Sequence, residues 1–193
     1  MAEFGAKYPC FCRSGASAGV VLGKLVAANL TVTLASGELY ADDALDEQLS
    51  EFASGSIAME TNDLTDDNAE EIFGCDVTDG LVTYNVGDTA PAGGLGYIKS
   101  LMRNKTKYYK GFYYPVARAA LGNDNAQTKG SSITFATAQT TFTIMADDNG
   151  DWRKTKTFDT EAAAKAWLQG LCHITVASAP ASSGGGGTGG GTG

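Results

Sequence analysis

The chain is short of several things, and each shortage removes a class of protein. Of its 193 residues one is a histidine, His173. With no nucleophile elbow beside it, a Ser-His-Asp triad is not expected. No apolar run approaches the ~20 residues that cross a bilayer as a helix, so no membrane partner is expected. Residues 1–12 lack the basic and apolar regions of a secretory signal. Without one, Cys10, Cys12, Cys75 and Cys172 are expected as free thiols in a reducing compartment. Cys10-x-Cys12 and the adjacent Cys172-His173 have the wrong spacing for a zinc knuckle. Gly93-Gly94-Leu95-Gly96 has no Lys-Ser/Thr after it, so it is no phosphate loop. Residues 147–151, DDNGD, lack the later glutamate that closes a calcium loop. No enzyme, cofactor or metal is expected.

Charge of one sign is missing from two long stretches. No Lys or Arg occurs between Lys24 and Lys99, and no Asp or Glu between Asp88 and Asp124. The first stretch holds Asp42, Asp43, Asp46, Glu47 and Glu51; the second holds Lys99, Arg103, Lys105, Lys107, Lys110 and Arg118. The net charge of −8 argues against broad nucleic-acid binding, which needs a basic surface. An acid half and a basic half allow copies to pair head to tail. Pairing within one subunit, or simple solvation, would leave the same pattern.

What is present is mostly strand signal. Val26, Ala28, Leu30, Val32 and Leu34 alternate with small or polar residues, a half-buried strand. Ser36-Gly37 reads as a turn, and Ala41–Glu51 as an acidic connection or strand margin. Ile57, Met59 and Thr61 share one strand face, with a bulge or bend expected at Ser54-Gly55. Thr65 caps a short helix with Asp66 and Asp67 in its first turn, and Gly74 stops it. Two turns do not hold in water, so this helix must lie on a sheet.

Strand-like pieces follow at Leu81–Val86 and Leu95–Arg103. The second also fits a helical face through Ile98, Leu101 and Met102, though Gly94 and Gly96 favour strand and turn. Tyr108–Val116 is aromatic and expected to close at Pro115. Residues 122–130 read as an exposed loop. Ser131–Met145 is the longest β signal, with a parity change near Ala138–Thr140. Asp148-Asn149-Gly150 reads as a hairpin turn returning through Phe158. A second helix begins near Asp159 or Thr160 with Ala164, Trp167, Leu168 and Leu171 on one face. Ile174–Ala177 reads as a last short strand. The domain is placed at residues 1–177, and the Gly/Ser/Thr-rich residues 178–193 are read as a flexible tail: a tether, a natural end or an expression linker. The fold class expected is mainly β with two short helices, an antiparallel sandwich or barrel.

In Tyr108–Val116 and the lysines before it, base and aromatic interleave. The pattern suits either a single-strand nucleic-acid platform or a packed core and subunit interface. Lys105, Lys107, Tyr109, Lys110 and Tyr113 are the candidate subunit-interface residues.

Five phrases, GELYADD, EFASGSIAMETNDLTDDNAEEIFG, GLGYIKSL, YYKGFYYPVARAA and TKTFDTEAAAKAW, resemble the major tail protein family of long-tailed phages with non-contractile tails. They fall in order between residues 37 and 167, and the resemblance covers about residues 20 to 173. The resemblance implies a tail-tube fold, a β-sandwich or split barrel flanked by a helix. It implies hexameric rings of identical subunits, stacked into a tube that passes double-stranded DNA without binding it specifically. Tape-measure and tail-terminator proteins would be partners, and the virion tail, after assembly in host cytoplasm, the location. Asp42, Asp43, Asp46, Glu47 and Glu51 would face the lumen or an inter-ring contact, or stand as a solvated acidic loop. A nucleic-acid- or ligand-binding β-module, or a tube subunit of a secretion or injection machine, is the alternative.

Overall fold

The computed structural model describes residues 2–41, 44–120 and 137–175. In chain order these form β1 (Ala2–Arg13), β2 (Val20–Val21), β3 (Leu25–Ala41), β4 (Ala44–Thr61), α1 (Asp66–Phe73), β5 (Asp76–Thr78), β6 (Leu81–Thr83), β7 (Ala92–Arg103), β8 (Thr106–Ala120), β9 (Ala138–Met145), β10 (Lys154–Phe158) and α2 (Glu161–Leu171). The protein is mainly antiparallel β with two helices. Seven strands run in the order β2-β1-β7-β8-β9-β4-β3, and β10 adds to β8. β5 and β6 make a separate hairpin. Its turn, Asp79-Gly80, has positive φ at both residues, as a two-residue turn of the primed type requires.

The large sheet folds back on itself. The rings of Phe11 in β1 and Phe142 in β9 lie 6.0 Å apart although two strands separate them. A flat sheet would hold those strands about 14 Å apart, at ~4.8 Å per step. The curl encloses one core: Phe11, Ile57, Met59, Leu95, Tyr97, Phe112, Tyr114, Phe142 and Ile144, each nearly sealed from solvent. Each such side chain contributes roughly 1.5–3 kcal/mol by leaving water. α1 adds Ala69, Ile72 and Phe73 to this core. It starts as the sequence requires: the Thr65 side chain accepts from Asn68 N–H, and Gly74 ends it at φ 72°. A second, smaller core lies on the sheet's other surface, where α2 seats Ala164 and Leu168 against Cys10, Cys12 and Ile98.

Several sequence expectations are corrected. β3 does not turn at Ser36-Gly37. Those residues pair with Ser50 and Leu49, and β3 and β4 stay paired to Ala41↔Ala44, with the register slipping between Thr33 and Leu34 and between Leu39 and Tyr40. β7 is a strand throughout, as Gly94 and Gly96 favour, and begins earlier than expected, at Ala92. β8 runs through Pro115 to Ala120. The proline fits because β8 changes partner there: β10 pairs with it up to Tyr113, and β9 from Val116 onward. The β7 register also slips between Gly93 and Leu95. A residue without an N–H is tolerated at such a break. The slip reverses parity, so Phe112 and Tyr114 point into the core before it and Ala117 and Ala119 after it.

The turn at residues 147–150 is real, with Gly150 N–H donating to the Asp147 carbonyl and the Asp147 carboxylate accepting from Asn149 and Asp151. It does not join a hairpin, because β10 pairs with β8 rather than β9. Leu81–Val86 is strand only to Thr83, and Ile174 and Thr175 are in no strand. The parity change expected near Ala138–Thr140 has its first half, Ile133 and Phe135, outside the described residues. So do the loop at 122–130 and the glycine tail.

Candidate assembly surface

Three features stand together on the β3-β4-β9 side of the molecule. The first is a bare sheet face. Register aligns Arg118, Thr143, Ser56 and Thr31 in one row across β8, β9, β4 and β3. Ala120, Thr141, Ala58 and Asn29 form the next row, and Gln139, Glu60 and Ala27 the third. These positions alternate with the buried Ile57, Met59, Phe142 and Ile144, so they point away from the core. No described element packs on them, and α2 covers only the β1-β7-β8 part of the outer surface. The wall holds no aromatic and no large aliphatic side chain. Glu60 is tied down within it, accepting from Gln139 Nε2 at 2.8 Å and Thr137 Oγ1 at 3.2 Å.

The second feature is an open edge. Among the described residues β3 is the last strand of the sheet and pairs only with β4. No described strand pairs with the other side of this 17-residue strand.

The third is an arm. β9 accompanies β4 only from Gly55 to Thr61, so towards its tip the β3-β4 pair continues with no further described strand beside it. Among its described side chains, Thr31 to Glu38 and Gln48 to Glu51 are all exposed. Leu34 is 57% and Leu49 63% exposed. An isolated two-stranded ribbon is marginal in water, so an arm of this kind is stabilised by what it touches.

Three of the five acidic candidates, Asp46, Glu47 and Glu51, belong to this arm. Glu51 is exposed and pairs with Ala35; Glu47 lies opposite Leu39, and Asp46 falls where the register slips beside it. Asp42 and Asp43 lie outside the described residues. The basic candidates sit elsewhere. Lys105 is in the β7-β8 turn, where it and Asn104 both have positive φ. Lys107 is exposed, with its ammonium over the rings of Phe4 and Tyr109. Lys110 lies directly opposite Lys99, and both ammonium groups sit 5.3 Å from the Phe112 ring. Tyr109 and Tyr113 pack beneath α2 within the same chain. Burial pushes the Tyr113 hydroxyl up to about 12. The five basic-block candidates thus lie along β8 and the turn before it, with Tyr109 and Tyr113 on the α2 face and Lys110 beside Phe112 on the opposite face, while Asp46, Glu47 and Glu51 lie on a separate branch. β4 and β8 run in the same direction, both antiparallel to β9. The arm's tip and the β7-β8 turn therefore lie at one end of the strands, separated across the sheet's width.

The wall was missed in reading the sequence. Its signal was the run of Ala, Ser, Thr, Asn and Gln at the off-core positions of three successive paired strands. Residues 15–19 also carry Gly-x-Ser-x-Gly spacing, but β1 leads through them into β2 and not into a helix, so the strand-turn-helix of a nucleophile elbow is not formed. Among the described residues no helix is long and apolar enough to cross a membrane. No cluster of His, Cys, Asp and Glu in that set is placed to hold a metal ion. No protein-family model and no curated protein sequence matches the chain.

Proposed function

We propose that this chain is a structural subunit that joins copies of itself into a tube, as the major tail protein of a long-tailed phage with a non-contractile tail. The observation that carries this reading is the bare small-residue wall ending at the open edge of β3. An edge of that length in a free molecule invites uncontrolled pairing. Pairing with a neighbouring copy closes it and extends the wall from subunit to subunit. Six copies closing a ring, with rings stacked, would turn the wall towards a shared bore. The described wall offers no ring for base stacking and no lysine cluster for phosphates. Double-stranded DNA would pass it without being held. The finer fold reading, a split barrel of the tail-tube type, is supported by a sheet that curls closed and divides where β9 ends.

The same geometry says how the charge blocks would meet. They share one end of the strands, so the acidic arm of one copy reaches the lysine-rich β7-β8 end of a copy beside it more readily than one directly in line. The competing reading of Tyr108–Val116 as a nucleic-acid platform is disfavoured by packing. Phe112 and Tyr114 are buried, and Tyr109 and Tyr113 have α2 against them. Tape-measure and terminator proteins would meet the tube at its ends.

Negative-stain microscopy of the purified chain at high concentration tests the proposal. Annular particles or tubes with a central pore are expected. Dispersed single molecules with intact β-sheet circular dichroism would sink it.

A further inference from the structure

α2 lies along β1, and three contacts mark their common course. Lys7 Nζ meets Glu161 Oε2 at 2.7 Å, Gln169 Nε2 donates to Tyr8 Oη at 2.9 Å, and Cys10 Sγ lies 3.5 Å from Cys172 Sγ. The first two hold the helix by charge and hydrogen bonding. The third brings two thiols into van der Waals contact at the helix's C-terminal end. Both cysteines are fully buried, and both belong to the small core beneath α2. Cys12 is in the same core, but its sulfur is turned to the carbonyls of Arg13 and Ala16. Cys75 is in the other core.

We propose that Cys10 and Cys172 are an oxidative cross-linking site, at which a hydroperoxide converts the thiol pair into a disulfide between the first strand and the last helix. The sulfurs need to close from 3.5 Å to about 2.05 Å, a movement within reach of side-chain rotation when the backbones already hold them in contact. The balance is simple. One thiol, as its thiolate, attacks the peroxide oxygen, giving a sulfenic acid and releasing the second oxygen as hydroxide from hydrogen peroxide or as alkoxide from an alkyl hydroperoxide, which takes up a proton to become water or an alcohol. The second thiol attacks the sulfenic sulfur, the S–S bond forms, and water leaves. Two thiols are oxidised by two electrons and one peroxide is reduced.

The surroundings set the rate. The contact with Cys172 and burial together hold the Cys10 thiol well above the ordinary thiol range. Attack by Cys10 is therefore slow near neutral pH and faster as pH rises, and reagents larger than a small peroxide are excluded until the end of α2 lifts. The bond would close a loop over residues 10 to 172, most of the described chain. Cross-links over long loops restrict the unfolded chain most. The effect is a covalent lock on a helix end otherwise held by packing and by the hydrogen bonds from Gln169 to Tyr8 and from Gly19 N–H to the His173 carbonyl, and it does not depend on assembly.

The test uses the full chain treated with hydrogen peroxide at pH 7 and pH 9, followed by thiol titration in denaturant, peptide mapping and thermal unfolding. The expected result is loss of two of the four thiols, faster at pH 9. A peptide joining Cys10 to Cys172 and a raised unfolding midpoint, reversed by dithiothreitol, complete it. Cys75→Ser should behave as the unsubstituted protein does, and Cys172→Ala should lose both the cross-link and the rise. Mapping on the unsubstituted chain keeps the test decisive if Cys172→Ala folds poorly. Four thiols still titratable, a cross-link through Cys12, or sulfinic acid in place of a disulfide would each overturn the proposal.

Discussion

The indole of Trp152 stacks on the ring of Phe52 with centroids 4.4 Å apart and planes within 5°. The pair sits where the sheet divides, just before Gly55, the first β4 residue with β9 beside it. Trp152 comes from the segment that follows the end of β9, so it fills the fork between the β3-β4 branch and the β8 branch. The stack fixes the angle at which the arm leaves the body.

Trp152→Ala should therefore cost roughly 2–3 kcal/mol, from lost aromatic contact and burial. Its larger effect should be local. Backbone amides of residues 34–38 and 48–51 should exchange with deuterium faster, while those of β7 and β8 keep their protection. Equal protection of the arm in both proteins would show that the stack does not hold it.

The seat of α2 depends on a residue that has no side chain. A Cβ on Gly111 would stand 2.7 Å from the Trp167 ring. Gly111→Ala should push the ring off β8 and destabilise the fold by about 1–3 kcal/mol. Limited proteolysis should then cut near residues 158–160 first, releasing the helix before the sheet is touched.

The other end of α2 has an acid-sensitive fastening. Glu161 receives Lys7 at 2.7 Å and Lys165 at 2.9 Å. These hydrogen bonds hold its carboxyl down at about 2, against an ordinary 4.5. A depressed carboxylate stabilises fully above its unfolded value and loses that contribution as pH falls through its folded value. Glu161→Gln should be less stable than the parent at pH 6. Allowing for solvent screening, the deficit should be on the order of 1 kcal/mol. The two unfolding curves should converge between pH 4.5 and pH 2. A deficit unchanged down to pH 2 would assign the loss to packing instead.

Local chemistry was the legible part of this sequence. Thr65, the two aspartates after it and Gly74 define α1 by themselves, and the α2 face is set by Ala164 and Leu168. Of the alternation from Val26 to Leu34, only Ala28 and Leu30 pack on the core, while Val26, Val32 and Leu34 are exposed. What stayed hidden was pairing. Ser36-Gly37 has turn composition, yet in a ribbon with a second strand opposite it simply continues, Ser36 opposing Ser50 and Gly37 opposing Leu49. Pro115 reads as a strand end because a proline breaks one ladder. Only the change of partner from β10 to β9 makes it a tolerated interior residue. The wall was hidden for the same reason: Thr141, Ala58 and Asn29 are unremarkable singly and become a surface only when register aligns them.

The arm should matter for association and not for folding. Leu34→Asp together with Leu49→Asp places charge on exposed positions with no described packing partner. The monomer's unfolding midpoint should move by no more than ~0.5 kcal/mol equivalent per site. Association measured by light scattering should be lost. Association that survives the double substitution would remove the arm from the interface.

The most direct test of the account is the mass of the particle in solution, measured by sedimentation velocity over a dilution series. The single chain is 20.0 kDa. Joining through the open β3 edge predicts species of six chains and their multiples at high concentration, falling to single chains on dilution. A lone 20.0 kDa species at every concentration, up to the solubility limit, would contradict it.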